Sequence, residues 1–361
     1  MADLDASGAE VRDGLRYPWS QPPASGQVCE VAAGVFWLRM PLPFRLDHIN
    51  LYLLQHADGW VVVDTGMNTA QTFEVWEQVF SEVFQGQPVQ AVICTHFHSD
   101  HAGVAAWLTE RFACPLYMTA AEFQWLHVQV PSGQPPARAF VDFYRKAGFS
   151  TEQAGEYFAA VQNKHFHPLP CTGFHRLRQG SELHIGERRW QVLVGNGHSP
   201  EHACLYSAEE GLLISGDQVL PRITSTVGVQ ATEPEANPLR DWLESIERLR
   251  ALPDNVLVLP AHERPFFNLH PRLDQLAAHH QGHLARLLDS CDEPRSALEL
   301  MAVLFPRLSG RFDELMALGE TLAHANYLMA EGALVREEHG GLLRYRRAPA
   351  GAKAPDPLRV F

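Results

Sequence analysis

The chain has 361 residues, a formal net charge of -13, 46% hydrophobic and 20% charged residues, a balance that fits a globular protein with one large domain and a smaller one. The negative charge disfavours broad attachment to phosphate backbones and favours small-molecule substrates, and no apolar run reaches the ~20 residues of a membrane-spanning helix. Six scattered cysteines, none in a C-x-x-C pair, exclude a disulfide framework and a zinc knuckle.

In chain order, residues 1–27 are acidic and polar, with no leader or transit pattern, and are expected to form a loose segment of a cytoplasmic protein. From Val31 to Thr65, "VFWLRM", "INLYLL" and "WVVVDTG" read as strands separated by turn signals. "TAQTFEVWEQVFSEVF" has helical spacing, with Thr69 or Asn68 as its N-cap, and "VQAVICT" follows as a buried strand. This alternation predicts a layered α/β domain over residues 28–268. Residues 119–165, rich in aromatics and helix-like, read as a helical insertion. Its Phe123, Trp125, Phe140, Phe143, Tyr144 and Phe149 are expected mainly to pack it, with some free to line a substrate wall. Strands resume with "SELHIG", "RRWQVLVGN", "HACLYSAEEGLLISGD" and "NVLVLPAH". Residues 269–348 give helices and then a hairpin with Gly-Gly at its tip, the order of a winged-helix-like domain, and 349–361 read as a loose tail.

The stretch "ICTHFHSDHAG" places His96, His98, Asp100 and His101 directly after a buried strand. Imidazole and carboxylate are good ligands for zinc and related ions, and a tight loop gathers them at little entropic cost. His96 and His98 can project to one side, while Asp100 and His101 follow the turn toward a second ion. Three more groups end apolar strands: His198 in "GNGHSP", Asp217 in "LLISGD" and His262 in "VLVLPAH". Asp64, in "VVVDTG", reads as a hydrogen-bonding support for a ligand histidine or as a turn aspartate. His202 orients a ligand, contacts substrate or is structural. His165 and His167 lack a following Asp-His and are discounted as a metal site.

With Asp64, "HFHSDH", "GHS", "SGD" and "AH" in this order, residues 30–265 resemble the metallo-β-lactamase fold superfamily of metallohydrolases. The resemblance implies an αββα sandwich with a dinuclear site at one edge. It implies that His96, His98 and His198 hold one divalent ion, that Asp100, His101 and His262 hold the other, and that Asp217 bridges them. Zinc is the default, with manganese and iron compatible with the same ligands. Such a pair lowers the pKa of water from about 15.7 toward about 7; a bridging hydroxide is then the expected nucleophile toward a carbonyl or phosphoryl centre, with Asp100 or a metal-bound water to protonate the leaving group.

Diiron flavoproteins of this fold carry glutamate where His98 stands, and zinc antibiotic-degrading members carry cysteine at the position of Asp217. The all-His/Asp set is similar instead to thioesterases of the glyoxalase II type, lactonases, phosphodiesterases and ribonucleases. Residues 271–361 hold 11 Lys+Arg against 12 Asp+Glu, which weighs against nucleic acid, and Arg344, Arg346 and Arg347 read as a solvated face or as a contact for coenzyme A phosphates. The expected function is hydrolysis of a small thioester or ester, with a metal-dependent phosphodiesterase, ribonuclease or lactonase as alternatives. A non-enzymatic regulator is disfavoured by seven retained ligand positions, and a mononuclear iron dioxygenase would be excluded by two ions per chain. Homo-oligomerisation is compatible with the sequence.

Overall fold

A computed structural model describes residues 3–4, 9–128, 137–161 and 173–349. His165, His167 and all of the expected tail beyond Pro349 lie outside these residues. Two short strands, β1 (Asp3–Leu4) and β2 (Glu10–Arg12), are followed by β3 (Leu15–Tyr17) in a small antiparallel sheet. This corrects the expectation of a loose opening segment. Leu15 and Tyr17 point to the same side of β3 and are buried, the Arg264 guanidinium lies 4.5 Å over the Tyr17 ring, and Arg264 pairs with Glu10 at 2.8 Å. Two apolar side chains in a three-residue strand are too short a pattern to stand out from a polar lead-in.

The main sheet begins with β4 (Val28–Ala32), β5 (Val35–Pro41), β6 (His48–His56) and β7 (Gly59–Val63). Helix α1 (Ala70–Val79) follows, capped by Thr69, whose Oγ1 accepts the Thr72 N–H at 3.2 Å; a π-helical turn continues it to Phe84. Then come β8 (Val89–Ile93), the short α2 (Ser99–Ala102), α3 (Ala105–Phe112), β9 (Leu116–Thr119), α4 (Ala120–Val128), α5 (Arg138–Ala147), α6 (Thr151–Val161) and β10 (His175–Leu177). The seven strands β4 to β10 form one sheet in the order β10-β9-β8-β7-β6-β5-β4. Its parallel pairs explain the all-apolar run of β7, which is buried throughout. The second sheet, in the order β11-β12-β13-β14-β15, is built from β11 (Glu182–Ile185), β12 (Arg188–Gly195), β13 (His202–Ser207), β14 (Leu212–Gly216) and β15 (Leu257–Pro260).

The two sheets bury their facing side chains against each other: Trp37, Tyr52, Val61 and Ile93 meet Trp190, Val192, Leu205 and Ile214. On the outer face of the first sheet, Leu38, Leu51, Leu53 and Val62 pack with Trp76 and Val79 of α1 and Leu108 of α3. The last turn of α7 (Pro238–Leu249) belongs with the second sheet, Arg248 reaching the Val194 carbonyl of β12 at 3.3 Å. Two hydrophobic layers around a pair of sheets give the expected αββα sandwich. At one end, backbone bonds tie the sheets together: Ala203 N–H donates to the Thr95 carbonyl at 2.8 Å and Asn50 N–H to the Ala261 carbonyl.

The chain divides into two compact units, residues 1–131, 163–225 and 246–273 forming the first and 132–162, 226–245 and 274–361 the second. The expected helical insertion is thus shared: α4 belongs to the first unit, α5 and α6 to the second. The second unit also contains most of α8 (Leu269–Asp289), then β16 (Arg295–Ser296), α9 (Ala297–Leu304), α10 (Arg311–Ala330), β17 (Leu334–His339) and β18 (Leu342–Arg347). Within it Tyr157 of α6 donates to Glu314 of α10 at 2.7 Å, and Phe140, Tyr144, Phe149, Tyr157 and Phe158 stack into an aromatic cluster. Ser296 and Glu299 form a capping box on α9. The β17–β18 hairpin turns at Gly340 and Gly341, both with positive φ as a two-residue turn of this hand requires. Among the described residues no helix is long and apolar enough to cross a membrane.

Candidate metal centre

Asp64 and the seven expected ligands lie at the same end of the sandwich, each past a strand's C-terminal end, and His202 opens β13. Asp64 follows β7, residues 95–101 follow β8, His198 follows β12, Asp217 follows β14 and His262 follows β15. Ligand atoms of His96, His98, His198 and Asp217 lie within 4.8 Å of one another, and so do those of Asp100, His101 and His262. All seven are brought together, in two groups.

In the first group, His96 Nε2 lies 2.8 Å from His98 Nδ1 and 3.2 Å from His198 Nε2. The tautomer of His96 follows from its neighbours. Thr95 Oγ1 lies 2.9 Å from Asp64 Oδ2 and 3.1 Å from Oδ1, and a carboxylate only accepts, so the hydroxyl proton points there. The His96 Nδ1, 3.0 Å from the same oxygen, must then donate to it, which leaves Nε2 with a bare lone pair aimed at His98 and His198. Burial, followed by the neighbouring imidazoles, pushes His96 and His98 well below the usual histidine range, so both rings are neutral, the form that binds a cation.

In the second group, Asp64 Oδ2 accepts from His101 Nδ1 at 2.8 Å, and the His48 carbonyl accepts from His262 Nδ1 at 2.9 Å. Both rings therefore present Nε2 to the site, 3.7 Å and 3.5 Å from Asp100 Oδ2. Burial would push His101 down, but the carboxylates of Asp100, Asp64 and Asp217 together hold it well above the usual range; Asp217 and Asp100 do the same for His262 against its own burial. Asp217 opposes burial in the other direction, kept well below the carboxylate range by His262 and His101.

Asp217 spans the two groups. Its Oδ2 lies 3.3 Å from His198 Nε2, while its Oδ1 lies 3.5 Å from His101 Nε2 and 3.4 Å from His262 Nε2. The Asp217 backbone N–H donates to His202 Nε2 at 3.1 Å, which fixes His202 as a neutral ring; burial and the nearby His198 lower it to about 3. His202 thus anchors the backbone of Asp217. The close approach explains the preceding glycine: Gly216 has φ +50 and a Cβ there would meet the His202 ring at 2.5 Å.

Two further residues escape the motifs. Thr95 sets the His96 proton, as above. Glu122 of α4, fully buried, accepts from Phe97 N–H at 3.0 Å, Ser199 Oγ–H at 2.7 Å and Glu201 N–H at 2.7 Å, so one carboxyl braces the His96–His98 loop and the His198 loop together. A lone glutamate in an aromatic helix carries no local signal of that role. Arg344, Arg346 and Arg347 face carboxylates of their own unit: Glu299 at 3.4 Å, Glu337 at 2.7 Å and Asp292 at 3.0 Å.

The donors fit divalent cations. His101 Nε2 and Asp217 Oδ1 are buried without a hydrogen-bond partner, an arrangement that is costly unless a cation fills it. Imidazole and carboxylate are the donor types for such ions.

The profile of the metallo-beta-lactamase superfamily matches residues 45–262, and that of the metallo-beta-lactamase-like C-terminal domain matches residues 284–348. The crystal structure of a beta-lactamase domain protein from Burkholderia ambifaria is 40% identical and superimposes with a TM-score of 0.86 over 92% of this chain and 98% of that one. A probable metallo-hydrolase of Bacillus subtilis, YqjP, is 24% identical over 86% of this chain and 97% of its own length. The human acyl-coenzyme A thioesterase MBLAC2 is 23% identical over 64% of this chain and 79% of its own. With its sandwich, its strand-end histidines and aspartates and its C-terminal unit, the chain belongs to the metallo-beta-lactamase superfamily of metallo-hydrolases.

Proposed function

We propose that the chain hydrolyses a small thioester or ester of the acyl-coenzyme A or acyl-glutathione kind, with two zinc ions held by His96, His98 and His198, by Asp100, His101 and His262, and by Asp217 between them. The observation that carries this reading is the placement of Asp217, with one carboxylate oxygen toward each ligand group. Ions bound there lower the pKa of water and polarise a substrate oxygen.

The chain's own residues supply the rest. Asp64, Thr95 and the His48 carbonyl fix which nitrogen of each ring faces the site. Asp100 is the most exposed carboxylate of the set, its side chain 21% accessible against 10% for Asp217. That exposure suits it to pass a proton to a departing thiolate or alkoxide. Beside His98, Phe97 lies 4.5 Å from that ring, is buried in the core of the first unit and stacks on Trp125 at 5.7 Å, which holds the His96–His98 loop in place. The similarity to a human acyl-coenzyme A thioesterase supports the same class. The arginines of the hairpin, already facing carboxylates, weigh against a nucleic acid substrate.

The test is a parallel assay of the purified, zinc-loaded protein against acyl-coenzyme A thioesters, S-acylglutathiones, lactones and a model phosphodiester. Thioester turnover at least tenfold above the others is expected. Preference for the phosphodiester would overturn the reading, as would a His96→Ala variant with undiminished thioester turnover.

A further inference from the structure

Outside this centre, among the described residues, the other histidine-rich cluster lies within the second unit. Helix α8 carries His279, His280 and His283, and α10 carries Glu320 and His324. Spacings of three and four place His280 with His283, and Glu320 with His324, on one face of each helix. The His280 and His324 rings are 5.1 Å apart and those of His283 and His324 5.2 Å apart. Ligand atoms of His283, Glu320 and His324 lie within 4.8 Å of one another, and all three residues are buried.

The hydrogen bonds fix the orientation. His324 Nδ1 lies 2.7 Å from the Glu320 carbonyl, which only accepts, so Nδ1 is the donor and Nε2 faces inward, 3.1 Å from His280 Nδ1. Three buried polar atoms around this point have no hydrogen-bond partner: His280 Nε2, His283 Nδ1 and Glu320 Oε1. His283 Nδ1 stands 3.8 Å from Glu320 Oε1, beyond hydrogen-bond reach, with Glu320 8% and His283 6% exposed. Buried, facing each other and without hydrogen-bond partners, His283 Nδ1 and Glu320 Oε1 are a poor hydrogen-bonded pair and, with His324 beside them, a good ligand set.

We propose that His283, Glu320 and His324 bind one divalent transition-metal ion, zinc by preference, with His280 as the neighbouring fourth nitrogen, and that this ion clamps α8 to α10. Two imidazoles and one carboxylate form a donor set that zinc takes with three protein ligands, the fourth position being left to water or a further nitrogen. The site is separate from the hydrolytic centre, and its stabilisation of the fold grows with the logarithm of ion concentration over the dissociation constant.

The test uses the full chain carrying His96→Ala and Asp217→Ala, which weakens the hydrolytic centre, and measures zinc or cobalt per chain together with the melting temperature and the cobalt absorption spectrum. One ion per chain and a saturable rise in melting temperature are expected, both lost on adding the near-isosteric Glu320→Gln or, independently, His283→Gln. If the double variant does not fold, the unmutated chain serves: it should hold three ions and its Glu320→Gln variant two, with thioester turnover read separately. Equal ion counts with and without Glu320→Gln and His283→Gln would overturn the proposal and leave a neutral histidine cluster.

Discussion

Glu122 and Glu320 are both helical glutamates buried in histidine-rich surroundings, one in each unit, and they differ in what their oxygens meet. Glu122 accepts three hydrogen bonds from two loops and is a brace. Glu320 has an orphaned oxygen facing an imidazole. Burial raises both, to about 7 and about 8. A perturbed carboxyl therefore says little about role until its donors are counted: satisfied oxygens mark architecture, and convergent unsatisfied ones mark a place for a cation.

The largest effect expected on the strand-end side comes from Asp217→Ala, which removes the carboxylate common to both ligand groups. Thioester turnover should fall on the order of 10³-fold or more, with loss of bound zinc at that centre by elemental analysis; unchanged turnover would remove Asp217 from the site. Glu122→Gln comes next. The amide nitrogen it introduces must face one of the N–H or O–H donors that the carboxyl now accepts, so a loss of about 1–3 kcal/mol in urea unfolding and a drop of roughly 10- to 100-fold in zinc affinity are expected. The sign of its pH dependence is also fixed. The Glu122 carboxyl sits at about 7 in the folded chain against an ordinary value of 4.5, so its contribution is complete below about 4.5 and is lost as pH rises through about 7. The melting temperature of the parent should accordingly decline more steeply over that window than that of the glutamine variant. A parallel decline would show Glu122 to be no different from a solvent-facing acid. Thr95→Val is the smallest change. It keeps the side-chain shape but frees the His96 proton, and titration should show zinc affinity reduced about tenfold with the fold retained.

The strand-end site was legible because its ligands sit in short local patterns, "HFHSDH", "GHS", "SGD" and "AH", each behind an apolar run. The long strand β6 is legible as well, since burial over seven consecutive residues leaves an unmistakable apolar run. What stayed hidden depends on contacts between distant positions. Glu122 meets Ser199, 77 residues on. The aromatic insertion read as one segment, yet Leu126 is buried in the core of the first unit while Tyr157 hydrogen-bonds to Glu314 in the second. His280 and His283, in a helix with arginine and glutamine nearby, carry no local motif; their partners Glu320 and His324 come about 40 residues later.

The joining of both sheets at the strand-end centre has a kinetic side. His96 and His98 come from the seven-stranded sheet and His198 and Asp217 from the five-stranded one, so the ligands meet only after the sheets have docked. Long-range docking of this kind comes late in folding, after the local hairpins. An ion held there cannot hasten the climb to the transition state and acts instead on the way out, slowing unfolding. Chelation should therefore shorten the lifetime of the native chain while its refolding rate stays the same, so that metal scarcity is felt as faster turnover of folded protein and not as a failure to fold.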